Sequence, residues 1–180
     1  MRLFTALDIS EEVRSSIVEL LHRLRPLARF QWSSPENLHI TTKFIGTWND
    51  LDRLKSALRG VARPGPIEIA IRGLGWFPNP HSPRVLFTGI EAPPSLAQLH
   101  KDTDAGCAAI GIPVEEKKFS PHLTLARIGT TKGLRELRGE IAQLPAAEFG
   151  RFTAHSFFLY ESVPGPRGSQ YVKLEEFPLL

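Results

Sequence analysis

The chain has 180 residues, is 42% hydrophobic and 23% charged, and carries a formal net charge of +3. That is enough apolar material for a packed domain and too much for a disordered chain. No apolar run reaches the roughly 18–20 residues of a membrane-spanning helix. The opening apolar run through Leu7 gives way to Asp8, Glu11 and Glu12 too soon for a secretory signal, and the single Cys107 excludes an internal disulfide framework. A cytoplasmic location is the expectation, and the mild basic bias suits a phosphate or nucleic-acid ligand without requiring one.

In chain order, Arg2–Leu7 reads as a short strand, and Ser10 as the N-cap of a helix with the stripe Val13, Ile17, Leu20, Leu24 and Leu27. Leu38–Gly46 alternates like a strand, and Asn49 or Asp50 caps a helix carrying Leu51, Leu54, Leu58 and Val61. Ile67–Ile71 alternates strictly, and residues 73–83, rich in Gly and Pro, read as a connection. The same order then returns: Arg84–Ile90, helix Ser95–Ala109, Phe119–Ile128, helix Leu134–Gln143 and Phe152–Glu161. A last strand near Tyr171–Phe177 follows the turn Pro164–Gly168.

This return is a repeat. Leu3-Phe-Thr-Ala-Leu7 recurs as Leu86-Phe-Thr-Gly-Ile90, and His39-Ile-Thr-Thr-Lys-Phe-Ile-Gly46 as His122-Leu-Thr-Leu-Ala-Arg-Ile-Gly129, both 83 positions on. The stripe Leu51, Leu54, Leu58, Val61 maps at that offset onto Leu134, Leu137, Ile141, Leu144, and Ile69–Phe77 lies opposite Phe152–Tyr160. The expected fold is α+β and bilobal. Two pseudo-two-fold-related units, 1–80 and 81–180, each hold an antiparallel sheet with outer helices, and a cleft lies between them within one domain over 1–180.

On a strand, residues i and i+2 share a face, so His39 projects with Thr41 and His122 with Thr124. Facing each other across a cleft, two imidazoles suit a phosphodiester: one removes the nucleophile's proton and the other protonates the leaving oxygen. The threonine hydroxyls can hold non-bridging oxygens, and Arg127 can meet the growing charge. Strict alternation, however, puts Arg127 on the face opposite His122. It puts Lys43 on the face of His39, a candidate substrate contact or else a solvated lysine.

A lone strand histidine is usually structural, so His22, His81, His100 and His155 are read as surface or packing residues. A metal centre lacks further ligands in either motif, and Cys107 falls among small residues on a helix, as an inert packing thiol. Thr41 and Thr124 are also ordinary β-formers. Phe30, Trp32, Trp48, Trp76 and Phe77 are stacking candidates for a base, though most aromatics are core.

The chain resembles the two-histidine (2H) phosphoesterase superfamily, in particular its RNA 2′,3′-cyclic phosphodiesterases, historically called 2′-5′ RNA ligases. The resemblance rests on Arg2-Leu-Phe-Thr-Ala-Leu7, Pro35-Glu-Asn-Leu-His-Ile-Thr-Thr-Lys-Phe-Ile-Gly46, Pro83-Arg-Val-Leu-Phe87, Pro121-His-Leu-Thr-Leu-Ala-Arg127 and Leu159-Tyr-Glu-Ser162. It implies both His-x-Thr motifs in a central groove, no cofactor and no metal. It also implies RNA ends bearing a 2′,3′-cyclic phosphate as substrate, opened to a 2′-phosphate. It makes His39 and His122 the catalytic pair and Thr41, Thr124 and Arg127 the phosphate holders. His39 is assigned as acid to O3′ and His122 as base on water, although the swapped assignment keeps every sequence feature. Reversible 2′-5′ joining follows in principle. A monomer is expected, since the two copies already supply both walls. Two rivals stand: a related enzyme for a small cyclic phosphate or 2′-5′ oligonucleotide, and a non-catalytic RNA-binding module. Intact paired histidines and threonines disfavour the second, because binding alone needs no acid and base.

Overall fold

A computed structural model of the chain describes residues 1–144 and 147–180. Its elements are β1 (Arg2–Asp8), α1 (Glu11–Leu24), β2 (Gln31–Trp32), β3 (His39–Thr47), α2 (Leu51–Arg59), β4 (Ile67–Phe77), β5 (Val85–Glu91), α3 (Pro94–Ala108), β6 (His122–Arg127), α4 (Leu134–Ala142), β7 (Glu148–Ala154), β8 (Ser156–Val163) and β9 (Gln170–Pro178). The Ser10 side chain caps α1 by accepting from the Val13 N–H, with Glu11 and Glu12 in the first turn, where the helix dipole favours negative charge. Helix α1 buries Val13, Ile17, Leu20, Leu21 and Leu24. It stops at Leu24 because Pro26 has no N–H to extend the ladder, and residues 25–27 tighten into a 3₁₀ turn.

The strands form two antiparallel sheets, ordered β3-β1-β8-β9 and β2-β6-β5-β4-β7. The fold is α+β, as expected, but neither sheet is built from one half of the sequence. Strand β4 of the first half pairs with β5 and β7, while β8 and β9 of the second half complete the sheet of β1 and β3. Helices cross over too: α1 packs on β7, and α3 packs on β3. The expected boundary, with units 1–80 and 81–180 each holding its own sheet, therefore does not describe the lobes. Alternation reports which face of a strand is buried, and it is silent on which sheet the strand joins.

Two local features redirect these strands. Residues 73–77, read as connection, continue β4 to Phe77 through a bulge at Gly73, whose φ of +78° suits a residue without Cβ. The run Phe152–Glu161 is not one strand. It divides at His155 into β7, on one sheet, and β8, on the other.

The sheet surfaces that carry Ile40 and Ile45, or Ile67, Ile69 and Ile71, are buried in the apolar core. The opposite surfaces carry the histidines, so the inner faces of the two sheets wall the cleft. Pairing sharpens the repeat. Asp8 lies opposite His39 and Gly89 opposite His122, so β1 and β5 correspond at an offset of 81 although their sequences match at 83. A slip of two positions leaves every side chain on its original face.

Candidate active site

Strands β3 and β6, which carry the two His-x-Thr motifs, contact each other across the cleft. Each is bulged at the same point. Ala6 pairs with Thr41 and Thr5 with Lys43, which leaves Thr42 extra. Phe87 pairs with Thr124 and Leu86 with Ala126, which leaves Leu125 extra, 83 positions on. A bulge inserts one residue and reverses the alternation beyond it. Ile40 and Thr42 face the core, and so do Lys43 and Ile45, so Phe44 joins the face of His39 and Thr41. In β6, Leu123, Leu125 and Ala126 are buried and Arg127 joins the face of His122 and Thr124. The guanidinium thus lies on the histidine side, which strict alternation denied it.

The same bulge corrects the reading of Lys43. It does not face the cleft; it is 1% exposed, with Nζ 2.8 Å from Asp104 Oδ1 and 3.7 Å from Glu115 Oε1, and it donates to the Pro113 carbonyl at 3.2 Å. Burial works to raise the Asp104 carboxyl, but the Lys43 hydrogen bond, the Glu115 N–H and nearby positive charge leave it below its ordinary value. His100, stacked on Phe119 at 4.2 Å, bonds through Nδ1 to the Thr42 carbonyl at 2.6 Å, and the Phe44 N–H donates to Glu115 at 2.9 Å. Helix α3 and residues 113–119 therefore grip the bulge of β3 from behind.

Both histidines are anchored alike. His39 Nδ1 lies 2.6 Å from the Asn37 carbonyl, and His122 Nδ1 lies 2.8 Å from the Ser120 carbonyl. A carbonyl only accepts, so Nδ1 carries the proton and Nε2 is the nitrogen left for chemistry. His39 Nε2 is 2.9 Å from the Thr41 hydroxyl. Phe4 and Tyr171 flank His39 at 5.0 and 5.2 Å between ring centroids, and Phe77 and Phe87 flank His122 at 4.9 and 5.6 Å.

The electrostatics are not alike. Burial is the chief cause holding the His39 imidazole below its ordinary pKa. The Asn37 carbonyl and Asp8 oppose that shift, while His122 and Arg127, near enough to be felt, add to it. Asp8 accepts from the Tyr160 hydroxyl and from Lys173 Nζ at 2.6 Å, and burial first, then Asp8, pushes the Tyr160 phenol far up. These groups, with Arg14, Asn37 and Tyr171, line a recess of about 190 Å³ beside His39.

Among the aromatic candidates only Phe77 reaches a motif histidine. Phe30 lies in the core with Trp32 stacked on it, Trp32 and Trp48 pack against the core, and Trp76 lies under Arg138. His100 is a packing residue, His22, His81 and His155 are exposed, and Cys107 is buried, its thiol pushed up to about 11 by burial. Sequence reasoning missed Phe44, Asp8, Tyr160 and Tyr171. The doubled apolar pair Leu125-Ala126 was a legible sign that alternation breaks in β6.

The chain matches the model of the 2′-5′ RNA ligase superfamily over residues 13–165. It is 32% identical, over 99% of both chains, to an RNA 2′,3′-cyclic phosphodiesterase of Methanothermobacter thermautotrophicus. The chain belongs to the 2′-5′ RNA ligase superfamily. A second phosphodiesterase of the same description, from Thermus thermophilus, is 33% identical over 99% of this chain and 90% of its own. The enzyme class of these superfamily members is phosphodiesterase, a hydrolase, and this chain shares it. The crystal structure of TT0787 of Thermus thermophilus superposes with a TM-score of 0.80 at 31% identity, over 99% of this chain and 98% of that one. E. coli LigT complexed with 3′-AMP shares the fold at a TM-score of 0.78 and 24% identity, over 98% and 97% of the two chains.

Proposed function

We propose that this superfamily member opens RNA 2′,3′-cyclic phosphate ends to 2′-phosphomonoester ends by acid–base catalysis between His39 and His122, with no metal in the reaction. The observation that carries the reading is the matched pair of bulged strands, each delivering a histidine whose Nδ1 is fixed and whose Nε2 is left for proton transfer. The cyclic phosphate sits between them, its non-bridging oxygens held by the Thr41 and Thr124 hydroxyls and by Arg127, which answers the charge that builds in the transition state. His122 Nε2 takes a proton from water, the water oxygen bonds to phosphorus, the P–O3′ bond breaks, and His39 gives its proton to O3′.

One asymmetry supports giving the acid role to His39. Asp8 lies opposite it and favours the imidazolium, whereas Gly89 holds that place opposite His122. The bound phosphate adds a second negative charge, which works against the burial that lowers the pKa of the free imidazole. The terminal nucleoside stays with O3′ on the His39 side, where Phe44, 58% exposed, offers a ring face for its base. A 5′-hydroxyl in place of water gives 2′-5′ joining by the same steps.

The test is hydrolysis of a short RNA ending in a 2′,3′-cyclic phosphate, with EDTA present, by wild type, His39→Ala and His122→Ala. The expected result is a 2′-phosphate end that forms in EDTA and is lost in both variants. Loss of wild-type turnover in EDTA overturns the mechanism. Turnover of nucleoside 2′,3′-cyclic monophosphates but not of RNA moves the substrate to a small cyclic phosphate.

A further inference from the structure

The His122 sheet carries a second hollow, of about 500 Å³, which the hydrolytic reading leaves idle. Its lining includes Glu68 and Ala70 of β4, Glu91 at the end of β5, Ala92, and Arg151 and Thr153 of β7. Strand register fixes where it lies. Gly89 pairs with His122, and Glu91, two residues on, is about 7 Å further along the same face. Glu91 pairs with Ala70, which pairs with Arg151 on its other side, and Glu68 pairs with Thr153. Directly paired residues share a face, and Ile67, Ile69 and Ile71 are buried on the other one. The hollow therefore opens on the surface that presents His122.

We propose that this hollow is the subsite for a second nucleoside, one that brings a free 5′-hydroxyl to His122. The proposal rests on His122 being the base. In an in-line displacement the attacking and leaving oxygens lie on opposite sides of phosphorus. The leaving O3′ points towards His39 while the terminal nucleoside stays bonded to phosphorus through O2′, so an incoming alcohol must approach from the His122 sheet, where the hollow is. His122 removes the 5′-hydroxyl proton, O5′ bonds to phosphorus, the P–O3′ bond breaks, and O3′ takes the proton of His39. The product is a 2′-5′ phosphodiester, and the reverse sequence cleaves one.

The lining suits a nucleoside better than it suits water alone. Ala70, small and buried, lies in the floor of the hollow between Glu91 and Arg151. Glu68 and Glu91 offer carboxylates to the amino and imino N–H groups of a base, as acidic side chains do for cytosine N4. Arg72, 3.0 Å from Glu91 and 4.0 Å from Glu148, steadies Glu91. Arg151, exposed on the edge strand β7, stands where the next phosphate of an RNA acceptor passes.

The experiment compares two reactions of one enzyme: hydrolysis of a 2′,3′-cyclic phosphate RNA, and its joining to a short 5′-hydroxyl RNA. Wild type, Arg151→Ala and Thr153→Trp are used; both positions are exposed, and tryptophan is at home on a strand. The expected result is hydrolysis within about twofold of wild type, with the KM for the 5′-hydroxyl RNA raised about tenfold or more. Equal joining by all three proteins overturns the subsite, as does a wild type that hydrolyses but never joins. A wild type that does not hydrolyse removes the underlying reading instead, and a parallel fall of both reactions assigns the hollow to the cyclic-phosphate strand.

Discussion

Around His39 the bulge brings Phe44 to the cleft, seats Lys43 in the core, and has Asp8 alongside; around His122 the same bulge brings Arg127, seats Ala126, and has Gly89 alongside. The backbone is duplicated, down to the Nδ1–carbonyl anchor, and the side chains are not. An acid and a base must start the reaction in opposite protonation states. A perfectly symmetric site could not distinguish them. What separates the halves is therefore a few substitutions on a shared frame, and each can be removed to see which half depends on it.

The largest effect falls on what both halves share: replacing either histidine by Ala lowers kcat about 10³-fold, measured by single-turnover hydrolysis. Arg127→Ala strips the second half of its charge and lowers kcat about 10²-fold, with little change in KM, since the guanidinium acts on charge that develops in the transition state. Lys43→Met spares the cleft and leaves Asp104 and Glu115 without their cation. Urea unfolding should register a loss of about 3 kcal/mol, the scale of breaking one partner of a buried pair. Phe44→Ala raises KM for the RNA about tenfold and leaves kcat in place, if the ring serves only to stack a base.

The smallest effect is a pH dependence specific to the His39 half. Its folded pKa lies below the ordinary 6.5, so the unfolded chain binds more protons between those two values. The stability tied to neutral His39 is whole above about 6.5 and is lost as pH falls through the folded pKa. Tm should therefore drop more steeply on acidification in wild type than in His39→Gln, followed by calorimetry. An identical slope in the two proteins would remove the burial argument.

Much of this was legible in the chain itself, for physical reasons. Helix caps at Ser10 and Asp50, the apolar stripes and the 83-residue offset are local or periodic signals, and they led to the α+β class and to the two histidines on matching strands. Lys43 and Arg127 were misread together because a bulge reverses parity, and a bulge is a property of a strand pair rather than of one strand. The sheet partners of β4 and β8 were beyond reach for the same kind of reason: the same alternation serves in either sheet. Asp8 and Tyr160 sit far apart in the chain, and only the β1–β8 ladder places them together at His39.

The exchange of strands and helices has a consequence for how such a molecule can exist at all. Neither half of the chain holds a complete sheet: the first supplies β1 and β3 to one and β2 and β4 to the other, and the second supplies β8 and β9 to one and β5, β6 and β7 to the other. A polypeptide of half this length could bury its edges only by clasping a second copy, each lending the other its last strand. Its cleft would then open at the seam of a homodimer with two identical histidines. Within one chain each wall has its own sequence, so aspartate can stand on one side and glycine on the other.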